Sequence, residues 1–183
     1  MIRTFIALPL PETIKNALSE ASGILRKTIN ARWVKPDAMH LTMKFLGDID
    51  EKNLITIGEG LDSISSLHSA FEMKLFSLGA FPFVKKARVI WAAIDTDIIA
   101  LRKLAASIDD LAVNYGIAKE SRPFTAHITL ARLREPSMIN LDVRMQEITF
   151  IIDKMHLYKS DLTPQGAKYT LLHSSPFTGK PGG

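Results

Sequence analysis

Hydrophobic and polar residues follow the same order in two separate stretches of the chain. Residues 3–21 (RTFIALPLPETIKNALSEA) predict an apolar strand, a proline-containing turn and an amphipathic helix, and residues 88–107 (RVIWAAIDTDIIALRKLAAS) predict a strand, a turn and a helix in the same order. At a constant offset of 85 residues the identical pairs of the two stretches include Arg3 and Arg88, Ala7 and Ala92, and Ile14 and Ile99. This alignment indicates an internal repeat.

Each of these units is followed by a loop and then by a second strand that contains a histidine. The two strands are HLTMKFL, which begins at His40, and HITLARL, which begins at His127, so they align at an offset of 87 residues. The pattern as a whole predicts an α+β fold of two similar lobes. Further apolar patterns predict four more elements: a helix over 51–67 and strands over 70–78, 147–159 and 169–174.

The histidine strands share a His-X-Thr spacing that brings polar side chains together. Side chains alternate between the two faces of a strand, so His40, Thr42 and Lys44 share one face and the apolar residues between them lie on the other. In the second strand His127 and Thr129 share a face in the same way. If an approximate twofold axis relates the lobes, the two His-Thr pairs face each other across one groove.

Composition and charge limit the class of protein. The chain of 183 residues is 46% hydrophobic and 23% charged, as expected of a soluble globular protein, and its net charge of +4 mildly favours an anionic partner. The absence of cysteine excludes disulfides, thiolate metal sites and cysteine nucleophiles, and it makes the cytoplasm the expected compartment. The apolar run at the N-terminus is short and is interrupted by Pro9 and Pro11, so it predicts a strand rather than a signal peptide, and we expect no membrane segment.

The paired histidines favour acid–base chemistry on a phosphate. A neutral imidazole can accept a proton while a protonated one donates, threonine hydroxyls can donate to phosphoryl oxygens, and basic residues stabilise developing negative charge. A metal site is disfavoured because no carboxylates cluster with the histidines, and GxSxG and glycine-rich phosphate-binding motifs are absent. Metal-free cleavage of a phosphodiester, or opening of a cyclic phosphate ring, is therefore the chemistry that these residues favour. Surface or structural roles are expected for the other histidines: His68, His156 and His173.

With these motifs the sequence resembles the two-histidine phosphoesterases, and within them the RNA 2′,3′-cyclic phosphodiesterases, also called 2′-5′ RNA ligases. RTFIALPLP is similar to the family's opening strand, RWVKPDAMHLTMKFLGDI to its first signature and RPFTAHITLARL to its second, although Ala126 stands where many relatives have proline. The resemblance implies one bilobal, pseudo-twofold domain over 1–183, with antiparallel sheets lining a central cleft and helices packed outside. Its two repeats are expected to interleave, with HxTx motifs at 40–43 and 127–130, and residues 175–183 to form a flexible tail.

The resemblance also implies a role for each motif residue. His127 is the expected proton acceptor that activates water, and His40 is the expected proton donor to the departing 3′ oxygen. Thr42 and Thr129 are expected to hydrogen-bond the phosphate. The implied activity is hydrolysis of RNA 2′,3′-cyclic phosphodiester ends to 2′-phosphomonoesters by a cytoplasmic monomer, without metal or cofactor, and 2′-5′ RNA ligation would be its reverse.

Two more residues are implied to contact the nucleotide, although strand alternation argues differently. Phe45 and Arg132 each lie five residues after their motif histidine, and this odd spacing places them on the opposite face of a regular strand. Phe45 would then pack in the core, whereas a β-bulge or a strand end could direct Arg132 towards the cleft. In relatives these positions flank the nucleotide, which suits the stacking that holds single-stranded RNA. Arg122 and Lys44 are weaker candidates for phosphate contact, with solvated surface positions as the alternative.

Two other functions remain open from the sequence. The first is a non-catalytic module that binds RNA ends, against which the two intact motifs argue, since a decayed enzyme would be expected to lose a histidine. The second is a phosphodiesterase for linear 2′-5′ oligonucleotides, which the same pair of histidines could attack. Cleavage of a cyclic-phosphate end compared with cleavage of an internal 2′-5′ linkage separates the enzymatic alternatives.

Overall fold

The computed structural model describes residues 1–164 and 166–179. Three α-helices lie in these residues: α1 (Glu12–Leu25), α2 (Leu54–Ser65) and α3 (Ile98–Val113). The strands are, in chain order, β1 (Ile2–Pro9), β2 (Arg32–Trp33), β3 (His40–Ile49), β4 (Phe71–Phe81), β5 (Ala87–Thr96), β6 (His127–Ser137), β7 (Ile148–Ile152), β8 (Lys154–Thr163) and β9 (Gly166–Pro176). The helix predicted over 51–67 is shorter than expected, because its first residues form a 3₁₀ turn at Glu51–Asn53.

The strands pair in an order that is symmetric about the two histidine strands. The order is β7-β4-β5-β6-β3-β1-β8-β9, with β2 paired to the side of β6, and every pairing is antiparallel. We call β3, β1, β8 and β9 the first lobe, and β6, β5, β4 and β7, together with β2, the second lobe. Among the described strands, the sheets of the two lobes pair at one register position, Leu41 opposite Ile128. The predicted α+β class with antiparallel sheets is confirmed.

The chain exchanges strands between the lobes. β4 follows β3 in sequence but pairs with β5 in the second lobe. β8, near the end of the chain, pairs with β1 in the first lobe, and β9 pairs with β8. The chain crosses back at Asp153, the one residue between β7 and β8. This crossing divides the single strand predicted over 147–159, because its two parts pair with different lobes.

Two amphipathic helices carry the apolar pattern of the repeat into the core. α1 buries Ile14, Leu18 and Leu25 on one face. Asp97 caps the start of α3, because its carboxylate accepts hydrogen bonds from the backbone N–H groups of Ile99 and Ala100, and α3 buries residues at the same helical spacing. Each fully buried leucine or isoleucine stabilises the fold by about 1.5–3 kcal/mol. No helix in the described part of the chain is both long and apolar enough to span a membrane.

The C-terminal segment packs against the protein, which corrects the flexible tail predicted from residue 175 onward. Ser175 and Phe177 are buried, and the Ser175 hydroxyl donates a hydrogen bond to Asp62 of α2 at 2.7 Å. The backbone N–H groups of Thr178 and Gly179 donate to carbonyl oxygens at the end of α2 and just beyond it. The last four residues of the predicted tail lie outside the described residues.

Each histidine strand contains a β-bulge at the same distance from its histidine. On β3 the register with β1 skips Met43, three residues after His40, and on β6 the register with β5 skips Leu130, three residues after His127. A second irregularity on β3 skips Leu46. Because an extra residue interrupts regular alternation, side chains beyond a bulge can change face.

Candidate active site

The junction between the lobes brings the two HxTx motifs together. Leu41 and Ile128 are directly opposite each other and fully buried, so the residues on either side of them point to the opposite face. Extending this antiparallel register by one residue places His127 beside Thr42 and His40 beside Thr129. The two histidines are then diagonal neighbours, for which the typical separation is about 7–8 Å.

His127 is held in the tautomer that a general base requires. Its Nδ1 lies 2.9 Å from the backbone carbonyl oxygen of Thr125. Because a carbonyl can only accept, Nδ1 carries the proton in the neutral ring, and Nε2 is the nitrogen free to accept another. The ring meets Phe81 edge-on, with centroids 5.2 Å apart, and lies 6.4 Å from Trp91, so aromatic side chains restrict its orientation.

His40 lies in a more enclosed environment than its counterpart. Its ring centroid is 4.8 Å from Phe5, 5.2 Å from Tyr169 and 6.2 Å from Tyr158. This burial lowers the pKa of His40 from 6.5 to about 4, although a hydrogen bond to the backbone of Ala38 opposes the shift. His40 is therefore neutral at neutral pH when no substrate is bound.

Phe45 and Arg132 are on the accessible side of their strands. Phe45 is 60% exposed, so it is not a core residue, and its ring centroid lies 5.9 Å from that of Phe5. Arg132 is also exposed. Both residues line a cavity of about 920 Å³ together with three residues of the HxTx motifs, Thr42, His127 and Thr129. The bulges after the two threonines account for this placement, since they interrupt the alternation that predicts the opposite face.

Lys44 does not share the environment of His40 that strand alternation predicts. Its ammonium group is 2.6 Å from a carboxylate oxygen of Asp109 on α3 and donates a hydrogen bond to the Ala118 carbonyl oxygen at 2.8 Å. Lys44 therefore ties β3 to α3 and the loop that follows it, and its charge is balanced without a substrate. Arg122, the other weak candidate, is exposed and lines the 920 Å³ cavity.

The aromatic side chains around His40 are the site residues that sequence reasoning missed. Phe5 belongs to β1, whereas Tyr158 and Tyr169 belong to the β8–β9 hairpin near the other end of the chain, and the three rings pack on one another and on His40. Phe5 and Tyr158 are opposite each other in the β1–β8 ladder, so they share the face of the sheet that carries His40. In β8 the alternation of polar and apolar residues indicated two faces, but β1 is apolar from Phe5 to Pro9, and neither pattern shows which strands are neighbours.

The three remaining histidines lie outside the HxTx pair. His156 is half-buried, with Nδ1 2.8 Å from the Tyr158 hydroxyl, and burial lowers its pKa. His173 contacts Asp62 of α2 at 2.8 Å and so joins β9 to that helix. His68 follows α2, and burial also lowers its pKa. Within the described residues no group of three or more His, Cys, Asp or Glu side chains is placed to hold a metal ion.

Comparison with known proteins agrees with this architecture. The model of the LigT-like phosphoesterase family matches residues 8–91 and 94–169, which include both histidine strands. The chain belongs to this family. It is 30% identical to the RNA 2′,3′-cyclic phosphodiesterase of Thermotoga maritima over 184 residues, an alignment that covers 97% of each chain.

Solved structures of other proteins have the same fold. A crystal structure from Thermus thermophilus superposes with a TM-score of 0.82 at 28% identity and covers 98% of this chain and 100% of that one. Escherichia coli LigT, crystallised with 3′-AMP, superposes with a TM-score of 0.77 at 24% identity over 97% of this chain and 98% of its own. The family resemblance expected from the two HxTx motifs is confirmed.

Proposed function

We propose that this LigT-like phosphoesterase hydrolyses RNA 2′,3′-cyclic phosphodiester ends to 2′-phosphomonoesters without a metal or cofactor. The observation that carries the proposal is the pairing of Leu41 with Ile128, which sets the two His-Thr pairs side by side; Thr42, His127 and Thr129 line the 920 Å³ cavity. A relative of similar length, 30% identical to this chain, is named for that activity.

In the proposed mechanism the two histidines exchange protons with water and with the leaving oxygen. Nε2 of His127 takes a proton from water as the water oxygen attacks phosphorus. The bond between phosphorus and O3′ breaks, and protonated His40 donates its proton to O3′. Thr42 and Thr129 donate hydrogen bonds to the phosphoryl oxygens, where negative charge develops. Each histidine is expected to contribute about 10²- to 10⁴-fold to the rate.

His40 must gain its proton before it can donate it. Burial keeps it neutral in the free protein, but a bound phosphate places a negative charge beside the ring and favours the imidazolium form. His40 is therefore protonated together with substrate binding, and it can then donate that proton to the departing oxygen.

The decisive experiment is product analysis with a defined RNA that ends in a 2′,3′-cyclic phosphate, in the presence of a chelator. We expect a 2′-phosphate product, and we expect His40→Ala and His127→Ala each to lower the rate at least about 100-fold. His68→Ala, which removes a histidine outside the HxTx pair, is the matched control. A 3′-phosphate product would reverse the assignment of the leaving group, and full activity in either motif variant would overturn the mechanism.

The same site could also catalyse ligation if a 5′-hydroxyl took the place of water. Its oxygen would attack phosphorus while His127 accepts its proton, the bond between phosphorus and O3′ would break, and His40 would protonate O3′, leaving a 2′-5′ phosphodiester. An internal 2′-5′ linkage offered in parallel with the cyclic-phosphate end tests the linear-oligonucleotide alternative. We propose that hydrolysis by a cytoplasmic monomer is the physiological reaction, because water greatly exceeds any RNA 5′ end in concentration.

A further inference from the structure

Two arginines lie directly opposite each other where β2 pairs with β6. Arg32 on β2 pairs in register with Arg132 on β6, so their side chains leave the same face of the sheet. Both are exposed, and neither forms an ion pair with any residue in the parts of the chain that the structure describes. Like charges at opposite positions of an antiparallel pair are destabilising. An anion bound between them would remove that cost.

The arginine pair is continuous with the proposed catalytic site. Arg132 follows Thr129 by three residues on β6 and lines the same cavity as His127. Arg32 extends towards the other lobe, where a Cβ atom placed on Gly166 at the start of β9 would be 3.8 Å from its Nη2. The guanidinium of Arg32 therefore lies between the second lobe and the β8–β9 hairpin of the first.

A second groove, of about 400 Å³, opens on this side of His40. Ala38, whose backbone is hydrogen-bonded to the His40 ring, lines it, as does Tyr169, whose ring packs against His40. Lys35 and Lys168 also line the groove, and neither forms an ion pair within the described residues. The groove therefore leads from the proposed proton donor to two unpaired lysines.

The acidic residues around the groove do not balance its positive charge. Asp37 is the one carboxylate among the lining residues that the structure describes. Asp161 lies opposite Lys168 in the β8–β9 ladder, but its carboxylate is 3.1 Å from the ammonium group of Lys159. Positive charges of Arg132 and Arg3 also reach Tyr169, where they oppose the rise in its pKa that burial causes. The surroundings of the groove are therefore cationic.

We propose that Arg32, together with Lys35 and Lys168, binds phosphodiester groups of the RNA strand on the 5′ side of the cyclic end. This inference rests on the proposed function. A cyclic phosphate is the 3′ terminus of its strand, so the rest of the RNA can extend from the site only in the 5′ direction. Unpaired cations beside stacking aromatic rings are the usual means of holding a single strand. The substrate is then an RNA strand rather than a cyclic mononucleotide.

The test compares a nucleoside 2′,3′-cyclic phosphate with an RNA of about eight nucleotides that ends in the same cyclic nucleotide. This length is enough to fill one single-strand site. We expect wild-type kcat/KM to be about tenfold or more higher for the RNA, a gain of the size that one charged contact provides. Arg32→Gln should lower this preference about tenfold and lower mononucleotide turnover much less. It should also reduce the salt dependence of log kcat/KM for the RNA by about 0.7, the value for one lost phosphate contact.

Arg88→Gln is the matched control, because it removes an exposed arginine from β5 outside both cavities and should leave all these quantities unchanged. Equal wild-type kcat/KM for the two substrates would overturn the inference while leaving the proposed function intact. An equal loss on both substrates in Arg32→Gln would also overturn it, since the arginine would then act on the cleft as a whole.

Binding measured without turnover separates this inference from the proposed function. The probe is a fluorescein-labelled RNA that ends in a 2′-phosphate, followed by anisotropy, with the nucleoside 2′-monophosphate as competitor. If wild type hydrolyses neither substrate, the proposed function fails. Tighter binding of the RNA to wild type than to Arg32→Gln is then still expected, and equal binding would overturn the role of Arg32.

Discussion

The two histidines of the HxTx pair have similar sequence contexts but different physical environments. His127 lines an open cavity and is fixed by one backbone hydrogen bond, whereas His40 is enclosed by aromatic rings contributed by β1, β8 and β9. A symmetric sequence repeat thus produces an asymmetric pair. Such asymmetry is what acid–base catalysis needs, because one partner must accept a proton while the other donates.

The low pKa of His40 predicts a specific dependence of stability on pH. Its pKa is about 4 in the folded protein and 6.5 without burial, so the unfolded chain takes up the proton first as the pH falls. Neutral His40 therefore contributes about 3 kcal/mol to the free energy of unfolding. This contribution is complete above pH 6.5 and is lost as the pH falls towards 4. Urea unfolding of wild type and His40→Gln between neutral pH and pH 4 measures it.

We expect wild type to lose more unfolding free energy than His40→Gln over that interval. The lowered pKa values of His68 and His156 add to the pH dependence of both proteins, and their contribution cancels in the difference. Parallel pH profiles for the two proteins would show that His40 is solvated like a surface histidine.

At the residue scale, the sequence predicts side-chain positions correctly only where a strand alternates regularly. The spacing of His40 with Thr42 and of His127 with Thr129 was enough to predict two shared faces, since no bulge lies within either pair. Phe45 lies beyond the bulge at Met43, and nothing in the local sequence marks that bulge with glycine or proline. Its exposure therefore depends on how β3 meets β1, which is a property of the folded sheet.

At the scale of elements, one ion pair connects the cleft to the helices. Lys44 and Asp109 have side chains only 10% and 18% exposed, and they join β3 to α3 on the side where the 920 Å³ cavity lies. Asp109 also accepts a hydrogen bond from the backbone N–H of Glu120 at 3.2 Å, in the loop that leads to His127. The pair thus positions the segment that precedes the second HxTx motif.

Asp109→Asn is predicted to destabilise the protein, because it leaves a poorly solvated ammonium group without its counter-ion. The expected loss is about 1–3 kcal/mol of unfolding free energy, measured by urea denaturation. Lys119→Ala is the matched control, since it breaks the exposed ion pair of Lys119 with Asp110 and should have a negligible effect. Equal losses in the two variants would mean that water screens the Lys44 pair as well.

Element pairing also explains why part of the fold was not predicted. Apolar periodicity located β4 and β9 to within a few residues, but it could not show that β4 joins the strands of the second repeat and β9 the first. The C-terminal segment was missed for a related reason. Ser175 and Phe177 are ordered by contacts with α2 and its surroundings, which are far away in sequence.

At the scale of the whole molecule, the site depends on how two lobes meet. Within each lobe the sheet ladders are long, whereas β3 and β6 share one residue pair. The distance between the two histidines is therefore fixed by packing around Leu41 and Ile128 more than by backbone hydrogen bonds. A change at this junction should disturb catalysis more than a change of equal size inside a lobe.

Ile128→Ala and Ile90→Ala provide that comparison, because both isoleucines are fully buried and lie on adjacent strands of the second lobe. Each variant should lose about 2–5 kcal/mol of unfolding free energy through the cavity it creates. At a temperature where both remain folded, Ile128→Ala should lower kcat about tenfold or more, since a misplacement of about 1 Å at the reacting groups has a large effect. Ile90→Ala should retain its kcat, and an equal fall in both would mean that the whole second lobe, rather than its junction, sets the geometry of the pair.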